Sequence, residues 1–288
     1  MKTVFKTMLV VFVASVIFII GSALVPYSET FKAATSNSDP SSLIFLFLNN
    51  LWLCVTIIYL VKHSNWHGKK LLFGTMFVLF MVYCFMTQIE TWFFGNAFAI
   101  LTKMDIVLIA LTNFIPILVA VPLSIKMFGK ERKSSGNESL IETRDLVKKV
   151  IILGLCYVAV YFIFGYFIAW QFREVRVFYS GNAIKTSFIE KLILNYQENA
   201  IIYPFQFLRG ILFTLSIMPL VYMMRGKSKA LLISLCLVYL CPAVVLIIPN
   251  ILFPDMVRWA HFIEMMTSMF CFAVISWYVI VKIKMATK

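Results

Sequence analysis

Apolar positions run unbroken through eight stretches of the chain, near residues 4–25, 43–61, 71–94, 105–125, 149–170, 201–224, 230–249 and 259–281, and polar positions gather in the segments between them. A helix rising 1.5 Å per residue needs about 20 mostly apolar residues to cross the hydrocarbon of a bilayer. Each stretch meets or approaches that length. The strands of a membrane barrel alternate apolar and polar positions, whereas these stretches are continuous, which excludes a barrel. The pattern predicts an all-α membrane protein of eight transmembrane helices. The first stretch exceeds the roughly 7–15 apolar residues of a cleaved signal core and is expected to remain as an anchor.

The polar interruptions organise the spans. The longest, from Lys126 to Lys149, carries Lys-Glu-Arg-Lys-Ser-Ser-Gly-Asn-Glu-Ser, which is linker composition. It divides the chain into a four-span unit at 1–125, a basic linker at 126–148 and a second four-span unit at 149–288. At a constant offset of 160, Phe45, Phe47 and Leu48 meet Phe205, Phe207 and Leu208, and Lys69, Leu71 and Leu72 meet Lys229, Leu231 and Leu232. Four spans per unit is an even number, so the expectation is a 4+4 parallel repeat, set against chance likeness among Leu- and Phe-rich helices. Residues 26–42 read as an irregular polar loop. In the segment 171–200, Ile184, Phe188, Leu192 and Tyr196 recur every fourth residue, predicting a short amphipathic helix near 184–199 on the outer membrane face. Pro116, Pro122, Pro204, Pro219, Pro242 and Pro249 fall in or at the ends of spans and are expected to kink them.

Charge adds an orientation. Eighteen of the 26 Lys and Arg residues fall in the segments that face one side if the spans alternate, including the 126–149 connection and both termini. That bias places the N- and C-termini in the cytoplasm and suits a multi-pass protein of the plasma (cell) membrane. The basic loops are expected to meet membrane lipids of the inner leaflet and to offer a docking place for a protein partner. No nucleic acid is expected despite the net charge of +13, because the loops lack an aromatic reading platform. A composition of 61% hydrophobic against 14% charged residues excludes an ordinary soluble domain. The six cysteines all lie inside spans and form no CxxC pair, so they read as small buried hydrophobes.

Candidate chemistry is confined to polar residues near the outer ends of three spans. The third ends Gln88-Ile89-Glu90-Thr91-Trp92, the sixth carries Gln206 and Arg209, and the eighth begins Arg258-Trp259-Ala260-His261-Phe262-Ile263-Glu264. Arg209 sits roughly 12 Å, and Glu264 about 7–8 Å, along its span at the helical rise. Three helices thus put ionisable groups in one slab. An unpaired charge at mid-membrane costs about 2.5–3.5 kcal/mol on insertion scales, so these groups are expected to face inward. Arg209 is the natural counter-ion of Glu90 or Glu264, since its planar fork holds a carboxylate. His261 and Glu264 share a helix face at i, i+3, and Arg258 is expected to reach the interface.

Three readings of Gln88, Glu90, Gln206, Arg209, His261 and Glu264 follow: a polar network locking three spans, a substrate or proton site opening outward, or separate interfacial residues. His261, Glu264 and Glu90 are the residues that could ligate zinc, but with no HExxH motif no metal and no cofactor are expected. His63 and His67 lie in a short basic loop and read as solvated. Gln171, Arg173 and Arg176 form an aromatic, charged corner with a lesser claim to binding. No GxxxxGK[ST], GxSxG or SxxK template with its companions occurs. The resulting expectation is a small transporter or permease-like component, with a membrane-embedded enzyme acting on lipid, or a non-catalytic sensor or assembly protein, as alternatives.

Overall fold

The computed structural model describes residues 2–35, 42–131 and 143–282. Residues 132–142 of the expected linker and 36–41 of the 26–42 loop lie outside the described residues. Among those described, the fold is all-helical, and eight helices are long and apolar enough to cross a membrane. They are Thr3–Ala23, Ser42–His63, Gly68–Phe93, Lys103–Met127, Asp145–Gln171, Ile202–Met223, Ser228–Ile247 and Asp255–Val281. Every predicted stretch corresponds to one of them.

Two of the six expected prolines, Pro219 and Pro242, stand beside a change of winding in their span. Pro116 and Pro122 sit inside the fourth span, and Pro242 inside the seventh, which tightens to a 3-10 turn at Val245–Ile247. The sixth span breaks at Ile217, and Pro219 opens the helix Met218–Met223 that continues it. The third span is irregular without proline: Phe80–Phe85 is wound as a π-helix between α-helical segments. Such single-turn π segments recur at functional sites.

Within the first half, the first span packs on the second and fourth, and the third on the second and fourth. In the second half the fifth packs on the sixth and eighth, and the seventh on the sixth and eighth, while the second–fourth contact of the first half has no comparable counterpart among the described residues. The halves meet where the second span touches the seventh and the third touches the sixth and seventh. One core of buried Leu, Ile, Val and aromatic residues runs across both halves, from Val10 and Leu53 to Tyr239 and Phe272. The fifth and sixth spans pack closely at two glycines, Gly154 and Gly210. A Cβ at Gly210 would stand 2.6 Å from the Cβ of Tyr157 and 2.9 Å from the Cα of Gly154. Only glycine permits that approach, and it brings Tyr157 against the neighbouring Arg209.

The basic segments come together at one end of the bundle. Asn65 donates its backbone N–H to Met223 O at 2.7 Å, and Gly68 donates to Lys130 O at 2.8 Å. Gly68 has a φ of +55°, and a Cβ there would meet the carbonyl oxygen of Glu131 at 3.0 Å. At the opposite end, the connections carry short helices. Glu29–Thr35 forms part of a loop expected to be irregular. Arg173–Ser180 occupies the aromatic corner after the fifth span and ends on Gly181 in the left-handed conformation. The expected amphipathic helix is present as Phe188–Asn199. It starts four residues later than the periodicity suggested because Ser187 caps it: Ser187 Oγ accepts from Glu190 N, and Glu190 reaches back to Ser187 N.

Candidate functional site

The six candidate residues lie at the end of the bundle opposite the basic segments, and the structure sorts them into two groups. The first joins the third and sixth spans. Arg209 is 2% exposed and donates through Nη2 to Glu90 Oε2 at 2.7 Å and through Nη1 to Gln206 Oε1 at 2.9 Å. A longer contact of 3.4 Å runs from Nη2 to the carbonyl of Met86, just beyond the π-helical turn. The guanidinium lies among three aromatic rings, 5.7 Å from the centre of Tyr157 and 5.8 Å from those of Phe205 and Phe213. Ring faces carry negative potential, so this wall supplements the single carboxylate that faces the cation. Phe93 stacks on Phe205 at 4.0 Å and closes one side.

This group is incompletely satisfied. Arg209 Nε and Gln206 Nε2 are buried donors without a hydrogen-bond partner, and Gln88 Oε1 is a buried acceptor in the same state. A buried polar atom left unpaired costs about 1–3 kcal/mol, and its presence in a native structure calls for a reason. Gln88 turns its amide to Thr87 Oγ1 at 3.3 Å and does not join Arg209. The Glu90 side chain keeps 27% of its surface exposed while its arginine keeps 3%, so the pair is open only on the carboxylate side.

The second group joins the eighth span to the short helix Arg173–Ser180. His261 Nδ1 lies 3.8 Å from Glu264 Oε2, and His261 Nε2 shares a hydrogen bond of 3.0 Å with the hydroxyl of Tyr179. Burial, with Glu90 and Glu264 nearby, pushes the Tyr179 hydroxyl far above its ordinary range, so it stays a neutral phenol. Aromatic rings bridge the two groups: Phe93, stacked on Phe205 beside Arg209, lies 5.0 Å from Phe94, whose ring centre is 6.2 Å from that of Tyr179. Tyr179 carries no sequence signal of its own beyond the Trp and Tyr richness of its corner.

Two further arginines at this end are held by backbone carbonyls, and one of them departs from expectation. Arg258 is 3% exposed rather than at the interface. Its Nη1 donates to the carbonyls of Leu246 and Ile247 at 3.0 and 2.9 Å, and its Nη2 to Asp255 Oδ1 at 2.7 Å. Arg176 likewise donates to the carbonyls of Trp170, Gln171 and Ala183 at 2.7–3.0 Å. Both tie the connections at this end to the bundle. Asp105, 1% exposed, does the same for the first connection. It accepts from the backbone and hydroxyl of both Thr102 and Ser28 at 2.7–2.9 Å. Thr102-Lys-Met-Asp105 ahead of an apolar run is a capping-box signature, so this carboxylate was legible in the sequence.

Among the described residues, no group of three or more His, Cys, Asp and Glu side chains is arranged to hold a metal ion. Two cavities lie away from the charged cluster. One of about 430 Å³ lies between the helix Phe188–Asn199 and the start of the sixth span. The other, of about 280 Å³, lies at the basic end beside Tyr222, Arg225 and Ile280. No protein-family model, no curated protein and no solved structure matches the chain. What the fold itself establishes is the class: a helical protein with eight helices suited to crossing a membrane.

Proposed function

We propose that this protein is a small transporter or permease-like component whose substrate or proton site is the cluster of Glu90, Gln206, Arg209, His261 and Glu264, with Gln88 at its edge. One observation carries the reading. A buried arginine is held by a single carboxylate from another span, with two donors beside it unpartnered, and both spans that carry the pair are interrupted close by. Interrupted helices can repack without breaking a full hydrogen-bond ladder, and charged groups inside a membrane mark ion and solute pathways. The exposed flank of Glu90 gives the site an access side, and His261 with Glu264 supplies the groups for proton exchange.

The same proposal puts the basic end in the cytoplasm, both termini with it, and the cluster toward the outer side of the plasma membrane. The neighbour pattern supports the parallel repeat. Exchanging spans one to four with five to eight turns the second–seventh contact into the sixth–third contact, as a two-fold axis along the membrane normal requires.

The second reading is a polar lock that holds the third and sixth spans together, favoured by the near-complete burial of Arg209 and the 2.7 Å ion pair. The double variant Arg209→Leu with Glu90→Leu separates the two, because it removes both charges and leaves neither stranded. In proteoliposomes under an imposed pH gradient, followed with an enclosed pH-sensitive dye, wild type is expected to dissipate the gradient faster than protein-free vesicles. The folded double variant is expected to lose that excess. Equal flux from both proteins establishes the lock instead, and no wild-type flux overturns the proton-coupled site.

A further inference from the structure

The cavity of about 430 Å³ is bounded by Leu192, Ile193 and Tyr196 of the amphipathic helix, by Ala200, and by Tyr203 and Pro204 at the start of the sixth span. Its two walls are fastened to each other. The Tyr203 hydroxyl donates to the carbonyl of Leu192 at 2.7 Å, and the helix Phe188–Asn199 is fixed at its start by the Ser187 capping box. On its inner side that helix is anchored by Phe188, whose ring lies 5.2 Å from Tyr166 and 5.3 Å from Phe167. Lys191 sits 4.0 Å over the ring of Trp170, on the side of the helix away from the cavity. The groove is therefore a built feature of the fold.

Its surroundings say what fills it. Pro204 shares one face of the sixth span with Ile201, Leu208 and Leu215, spaced three, four and seven residues apart, and these three are 67%, 50% and 44% exposed. In a bundle whose helices cross a bilayer, such a stripe faces hydrocarbon. Ile189 and Ile193 continue it onto the amphipathic helix with 63% and 52% exposure. A hydrocarbon chain lying along the sixth span thus enters the groove without crossing polar surface. None of the residues that line the groove is charged, and Lys191 of the same helix is turned to Trp170, so nothing in the lining itself selects a headgroup.

We infer that this groove is a binding site for one acyl chain of a membrane phospholipid, gripped by its tail and indifferent to headgroup charge. The site stands apart from the charged cluster and does not depend on the transport reading.

The test is lipid retention. The full chain is reconstituted in equimolar phosphatidylcholine and phosphatidylglycerol with identical acyl chains, re-extracted into detergent, and weighed by native mass spectrometry. Wild type is expected to keep one phospholipid, drawn about equally from the two. Ala200→Trp fills the groove from an exposed position, and Ile193→Asp places a charge in it. Each is expected to lower retention by about tenfold, corresponding to about 1.4 kcal/mol. Leu208→Trp, on the same stripe but beyond the groove, is expected to retain lipid as wild type does. No retained phospholipid, a retained detergent, fatty acid or second protein chain in its place, a marked headgroup preference, or retention unchanged in both groove variants overturns the inference.

Discussion

The two ends of the bundle both carry cations that donate to backbone carbonyls, and they hold them differently. At the basic end the cations are lysines, and they cap helix carbonyls. Lys227 Nζ donates to His63 O at 2.7 Å and Lys130 Nζ to Ser64 O at 3.1 Å, both where the second span ends. Lys6 donates to the carbonyl of Met127 and Lys149 to that of Ile280 at 3.2 Å. The last turn of a helix leaves carbonyls unpaired and slightly negative, and an ammonium on a flexible stem satisfies one without fixing a geometry. Crowding has a cost here: burial, with Lys227 nearby, lowers the pKa of Lys130. At the opposite end the buried cations are arginines with several acceptors apiece. Arg176 and Arg258 rely chiefly on carbonyls of neighbouring turns, and only Arg209 depends on a carboxylate from another span. Replaceable caps hold one end and a single mutual dependence holds the other, so the two should respond to mutation on different scales.

The largest response is expected at that dependence. Arg209→Leu takes from the half-buried Glu90 carboxylate its partner on another span and leaves Gln206 Oε1 unpaired, and should cost about 1–3 kcal/mol of stability. Thermal melting in detergent reads it, and adding Glu90→Leu should recover most of the loss. A double variant no more stable than the single would mean that Arg209 acts through contacts other than Glu90. A smaller effect separates Tyr179 from its surroundings by pH. Its folded pKa is raised, so its contribution is complete below the ordinary tyrosine value of about 10 and is lost as pH rises above it. Tyr179→Phe should flatten the alkaline fall of the melting curve and leave neutral pH little changed; an unaltered alkaline slope would show that the hydroxyl is not held neutral by the fold. The smallest effect belongs to the basic end. Lys227→Met should cost only about 0.3–1 kcal/mol, because water can reach the freed His63 carbonyl. A loss as large as that of Arg209→Leu would erase the contrast between the ends.

The spans were legible because their signal is length and apolarity, which the membrane imposes directly. The Arg209–Glu90 pair was legible for the same reason: opposite charges at similar depth in two spans have few other ways to be accommodated. Arg258 was misplaced because its main partners are the carbonyls of Leu246 and Ile247, and backbone acceptors have no identity in the sequence. The link from Tyr179 to His261 was hidden by distance along the chain and by a fold of the outer connection that periodicity does not encode.

The π-helical turn at Phe80–Phe85 has a consequence for how the third span keeps its register. An α-helix advances each side chain by about 100° around its axis, so one extra residue accommodated in a turn rotates everything beyond it by that amount. Glu90 follows this turn and reaches Arg209 from the face that the rotation gives it. The carboxylate's bearing is therefore set by a winding number five residues upstream, in a stretch with no charge, glycine or proline of its own. Removing a single residue there would leave composition and hydropathy almost untouched, yet it would aim Glu90 at a different neighbour.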